Sequence, residues 1–109
     1  MSDSRLGAFE QEVMMAILRK GKVAFALGVR LEIERATDAK VSRGAFYTTL
    51  ERLERKGLVR WESDQPPGSR RQIIQRRYSV TSSGVDALRE NYRALQETWE
   101  RLGQILEEA

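Results

Sequence analysis

Arg43, Tyr47 and Thr48, spaced along the segment 42–61, and the arginines Arg70, Arg71, Arg76 and Arg77 have types and spacing that suit chemistry. Guanidinium groups pair with phosphate oxygens, and a guanidinium, a phenol and a hydroxyl on one helix face can reach base edges. That chemistry is recognition of a polyanion rather than bond breaking. The chain has no histidine and no cysteine, and no Gly-rich phosphate loop. Glu51 and Glu54 are close together, but Arg52, Arg55 and Lys56 beside them make a solvated pair of helix-surface charges the better account. The expectation is therefore a protein that is not an enzyme, with no cofactor, no metal and no disulfide.

A helix must carry the first group of residues. Ser42 is a good N-cap, since its hydroxyl accepts from the free amides of the next turn. Ala45, Phe46, Thr49, Leu50 and Leu53 then recur at helical spacing as an inward stripe. Gly57 supplies a left-handed stop, with Leu58 folding back on the last turn. Winding at about 3.6 residues per turn leaves Arg43, Gly44, Tyr47, Thr48, Glu51 and Arg55 facing out. That face is small at its start and can enter a groove.

Two helices precede it. In residues 6–20, Phe9, Val13 and Ile17 share a line with Met14 and Leu18 beside it, Arg19 and Lys20 favour the negative end, and Gly21 closes it. Met14 and Met15 cannot both face one core, so one of them is expected to meet a partner chain. A second helix runs through about residue 36, with Phe25, Val29, Ile33 and Ala36 on one face flanked by Leu27 and Leu31. A polar loop, 37–41, joins it to the third, and the pair reads as a helix-turn-helix.

Residues 58–62 read as a strand, 63–71 as a turn built on Asp64, Pro66, Pro67 and Gly68, and 72–80 as a second strand with Ile74, Tyr78 and Val80 alternating. Three helices and a hairpin make a winged helix, in a mainly α (α+β) fold. Arg70, Arg71, Arg76 and Arg77 on the hairpin face only Asp64, and beside a helix-turn-helix they are expected to meet phosphates. Thr81 caps a last helix along which Val85, Leu88, Tyr92, Leu95, Trp99, Leu102 and Leu106 follow in steps of three and four. That a/d series marks a coiled-coil seam and a homodimer. Tyr92 and Trp99 are bulky for a tight seam and can leave a gap for a small planar aromatic effector; packing as plain core is the alternative.

The totals agree with this division. A chain of 109 residues is one small domain with a marginal core, to which an oligomer adds burial. Residues 1–80 carry 16 Lys/Arg against 10 Asp/Glu, a balance of +6, while 81–109 carry 3 against 6, a balance of −3. A basic body points to a polyanion partner, which beside a helix-turn-helix is expected to be double-stranded DNA, and an acidic tail to a different job. No apolar run approaches the ~20 residues of a membrane span, and no signal opens the chain, so no membrane contact and a cytoplasmic location are expected.

In LGAFEQEVMMAIL (6–18), VSRGAFYTTLERLERKGLV (41–59) and RRYSVTSSGVDAL (76–88), with the Y-x-x-T-x-x-G of Tyr78, Thr81 and Gly84, the sequence resembles the PadR-type transcriptional regulators. The resemblance implies a winged helix with a C-terminal dimerisation helix, here the single tail helix of the smaller subfamily. It also implies a bacterial repressor that binds palindromic promoter DNA and is commonly released by a small molecule. Two departures stand out. Thr48 occupies a position where the family often has proline, and Phe25-Ala26 stand where its second helix often starts Tyr-Gly. Residues 1–80 are thus expected to form the DNA-binding domain and 81–109 the dimerisation helix. The rival reading is a winged helix used for protein–protein assembly, with the coiled coil as its binding arm.

Overall fold

Val13, Met14, Ile17, Val29, Ile33, Phe46, Leu50 and Leu53 converge on one core in which none exposes more than 2 % of its surface. They come from three helices that the computed structural model, which describes residues 6–68 and 74–109, places at the N-terminal side of a two-stranded wing. Helix α1 (Ala8–Lys20) begins where the Glu10 carboxylate accepts the Gly7 N–H at 2.9 Å, and it closes at Gly21 with φ of +56°. A short 3-10 turn, Gly21–Val23, leads to α2 (Ala26–Thr37). Asp38, at φ +52°, ends α2 in the left-handed conformation that Asp tolerates better than most side chains. Met14 is fully buried and Met15 half exposed, the separation their adjacency requires.

Helix α3 (Arg43–Arg55) is held at both ends. Glu34 of α2 accepts the Val41 N–H at 2.7 Å, which fixes the turn before it, and Ser42 Oγ accepts the Ala45 N–H at 3.1 Å. At the far end the Leu58 N–H donates to Leu53 O and the Gly57 N–H to Glu54 O, with Gly57 at φ +73°. This pair of bonds is the Schellman stop. Phe46, Thr49, Leu50 and Leu53 are buried as the spacing predicts, but Ala45 is exposed, at the edge of a shallow hollow it shares with Phe9 and Val41.

Strands β1 (Val59–Asp64) and β2 (Gln75–Val80) pair antiparallel, from Val59 opposite Val80 to Asp64 opposite Gln75. Ser63 and Asp64 therefore belong to the ladder rather than to the turn. Ile74 lies outside the strand and is 70 % exposed, so the alternation that places it with Tyr78 and Val80 breaks one residue too early. Tyr78 N–H donates to Ala24 O at 2.9 Å and Phe25 forms a bridge with Arg77, so the segment before α2 serves as a one-rung third strand. Phe25 is buried at this junction and Ile33 in the core, whereas Ala36, Leu27 and Leu31 face outward.

Helix α4 (Ser82–Glu108) leaves the wing across the α3–β1 turn. Its 27 residues span about 40 Å of the molecule's 61 Å length. The crossing explains the Y-x-x-T-x-x-G spacing. Thr81 Oγ1 donates to Gly57 O at 2.7 Å and accepts the Gly84 N–H at 3.1 Å, while the Thr81 N–H donates to Leu58 O. A Cβ on Gly84 would collide with the Leu58 carbonyl oxygen and come within 2.6 Å of Val80 Cγ1. Only glycine lets the helix pass so close. Farther along, Asn91 Oδ1 accepts the Leu6 N–H at 3.1 Å, which ties α4 to the start of α1.

Candidate nucleic-acid interface

Because the inner stripe of α3 fills the core, its other side is presented whole. Arg43, Gly44, Tyr47, Thr48, Glu51 and Arg55 are all exposed, as expected. The Arg43 guanidinium stands 5.6 Å from the centre of the Tyr47 ring, and Tyr47 meets Phe46 edge to face at 5.4 Å. These contacts hold the phenol upright at the first turns of the helix. Arg30 and Leu27 of α2 share a hollow of about 200 Å³ with Arg43, Phe46 and Tyr47. Arg30 had no sequence signal, since only the packing of α2 against α3 brings it beside Arg43.

A second cleft, of about 310 Å³, separates α3 from the wing and is lined by Ala26, Tyr47, Gln75, Arg76 and Tyr78. The Arg76 guanidinium lies 4.0 Å over the Trp61 ring, and the Trp61 indole N–H donates to Glu54 Oε1 of α3 at 3.0 Å. Burial pushes the Tyr78 hydroxyl above its ordinary pKa, with the Arg76 cation beside it opposing that rise. Arg77 has other partners: its Nε is 3.0 Å from Asp64 Oδ2 and its Nη2 is 3.4 Å from Glu62 Oε2. Asp64 is therefore not the only acid facing the wing arginines. Arg70 and Arg71 lie outside the described residues.

Behind α3, Lys56 Nζ donates to Glu10 Oε2 at 2.9 Å. Burial of Glu10 pushes its pKa up, but the Lys56 hydrogen bond, the Gly7 amide and the charges of Lys56 and Arg52 outweigh it and hold the carboxyl below its usual value. On α2, Glu32 accepts from Arg35 and Arg19, at 2.7 and 2.8 Å, and its pKa falls to about 2. These pairs lock α1 to α3 and to α2. Among the described residues no group of three potential metal ligands occurs, and no helix is long and apolar enough to cross a membrane.

The a/d series of α4 divides in two. Leu88 packs against the core and Val85 is half-buried, but Tyr92, Leu95 and Trp99 are 63, 53 and 60 % exposed, and Leu102 and Leu106 are exposed as well. Ile105, which is off the a/d register, joins them. A groove of about 390 Å³ between Leu6 and Gln11 on one side and Asn91, Ala94, Leu95 and Thr98 on the other opens onto this stripe.

No family profile matches the chain, and no curated protein does. Solved structures do. RosR from H. salinarum superposes with a TM-score of 0.67 at 23 % identity, over 97 % of this chain and 96 % of that one. A PadR-like transcriptional regulator from Bacillus cereus gives a TM-score of 0.73 at 18 % identity, over 92 % of each chain. A PadR-like transcription factor from B. fragilis gives 0.60 at 21 % identity, over 89 % of this chain and 86 % of that one. The wing, the helix-turn-helix and the long terminal helix together give this chain the fold of the PadR-like transcriptional regulators.

Proposed function

We propose that the chain is a member of that family: a sequence-specific DNA-binding transcriptional regulator, a repressor that acts as a homodimer on a palindromic operator. Residues 1–80 bind DNA and 81–109 pair the two copies. Two copies of α3 enter successive major grooves about 34–36 Å apart. Arg43 and Thr48 reach into the groove, Gly44 allows close approach, Ser42 and the free amides of the first turn hold a phosphate, and Tyr47 meets a phosphate or a base edge. The observation that carries this reading is the outer face of α3, which exposes Arg43, Tyr47 and Thr48 with no acid paired to Arg43 among the described residues. Of the wing arginines expected to meet phosphates, Arg70, Arg71 and Arg76 keep that role, and the ion pairs of Arg77 argue for another.

Pairing is supported by the stripe of α4, since so many large apolar side chains left in water favour a covering partner. Two copies joined through Val85, Leu88, Tyr92, Leu95, Trp99, Leu102 and Leu106 would bury it. Tyr92 and Trp99 then flank an apolar gap that accepts a planar aromatic effector, whose binding releases the operator. Titrating such compounds against fluorescence in wild type and Trp99→Ala tests this: a response equal in both removes Trp99 from the site.

Selection of bound fragments from a random duplex pool at physiological salt tests the main reading. An enriched inverted repeat is the expected result. Binding seen only at low salt and without sequence preference would instead favour the assembly-module reading, in which the exposed stripe docks another protein.

A further inference from the structure

Arg76 and Arg77 are consecutive in β2, so the pleat sends their side chains to opposite faces of the wing. Their surroundings differ accordingly. Arg77 sits between Glu62 and Asp64 of β1, which meet its charge within the protein. Arg76 meets no carboxylate among the described residues; its cation rests on the Trp61 ring, and Trp61 is in turn fixed to α3 through Glu54. A guanidinium stacked on an aromatic face keeps its outer N–H groups free to donate. Those groups border the cleft that Tyr47 and Gln75 also line. The lining side chains thus include one fixed cation, the two phenols of Tyr47 and Tyr78 and an amide, and no acid, which suits a singly charged tetrahedral anion.

Building on the DNA-binding reading, we propose that this cleft clamps one phosphodiester of the DNA backbone. Arg76 supplies the charge, Tyr47 and Gln75 donate hydrogen bonds, and Trp61 is the positioning residue that holds the guanidinium in place. Arg77 instead fastens β1 to β2 and contacts no DNA. The two neighbouring arginines therefore divide binding from architecture.

The test uses the duplex recovered by selection, titrated between about 50 and 300 mM salt. Arg76→Ala is expected to lower the magnitude of the log K against log salt slope by about 0.9 per bound protomer. Arg77→Ala is expected to keep the wild-type slope while lowering the melting temperature. Trp61→Leu is expected to weaken binding roughly two- to fivefold, with Trp61→Phe restoring most of it. In an Arg76→Ala background Trp61→Leu should add nothing, a result that a merely structural role for Trp61 would not produce. An unchanged slope in Arg76→Ala, an equal drop in Arg77→Ala, or a Trp61→Leu effect that persists without Arg76 overturns the proposal. Wild type that binds no duplex at the lowest salt sinks the DNA-binding reading itself, an outcome distinct from binding that ignores Arg76.

Discussion

Helix α3 and the outer half of α4 carry the same kind of pattern, large apolar residues every three or four positions, and meet opposite fates. On α3, Phe46, Leu50 and Leu53 vanish into the core, capped by Ser42 and stopped at Gly57. On α4, Tyr92, Leu95, Trp99, Leu102 and Leu106 stay in water. Periodicity reports that a face wants cover, not where the cover comes from. For α3 the cover is α1, α2 and the wing. For α4 beyond Asn91 only Leu6 and Gln11, across the groove from Leu95 and Thr98, come near among the described residues, and a second copy is the proposed cover for the rest.

The largest change expected is in association. Leu95→Ser together with Trp99→Ser should turn a dimer at micromolar concentration into a monomer in sedimentation equilibrium, while amide protection in α3 is retained. A wild type that is already monomeric, with and without duplex, would break the comparison from the α4 side. On the other side, Phe46→Ala should cost about 3–5 kcal/mol in urea unfolding, since a fully buried ring leaves a cavity. A loss under ~1 kcal/mol would mean that the α3 stripe is not the core.

The joint between the two regions is sharper still. Gly84→Ala should lose about 1–3 kcal/mol, because the added methyl meets the Leu58 carbonyl and the Val80 side chain where neither has room to retreat. Gly103→Ala, on the same helix with open space beyond the helix's own backbone for the new methyl, should be neutral or slightly stabilising, and the difference between the two melts is the readout. Next comes Ser42→Ala, expected to cost about 1 kcal/mol through the lost cap and to raise amide exchange at Ala45 first.

The smallest effect is in pH. Glu10 and Glu32 both have folded-state pKa values below the ordinary 4.5, Glu32 at about 2. Their contribution to stability is thus complete above about pH 4.5 and is lost as pH falls through the folded values. Lys56→Met should raise the Glu10 pKa, since burial then acts with less to oppose it, and should flatten the acid-side loss of stability. A carboxyl NMR titration of Glu10 that does not move would remove Lys56 as the cause.

Much of this was legible from residue types alone. Ser42, Gly57 and Thr81 are local signals, and a cap or a left-handed stop acts within a turn of itself, so each falls where its chemistry placed it. The α3 outer face follows from helical winding by the same logic. Ile74 and Ala45 went the other way: alternation and spacing say which side a residue faces, but not whether a neighbouring element reaches that far.

What the amino-acid order by itself determined was the set of elements, their caps, and which face of each is apolar, because those depend on neighbours within about four positions. Tertiary structure alone decided that Arg30 stands beside Arg43, that Trp61 carries Arg76, and that Arg77 is matched by Glu62 and Asp64. It also decided that Gly84 lies under the Leu58 carbonyl. Each of these pairs residues from different elements, and only the close packing of whole helices and strands selects them.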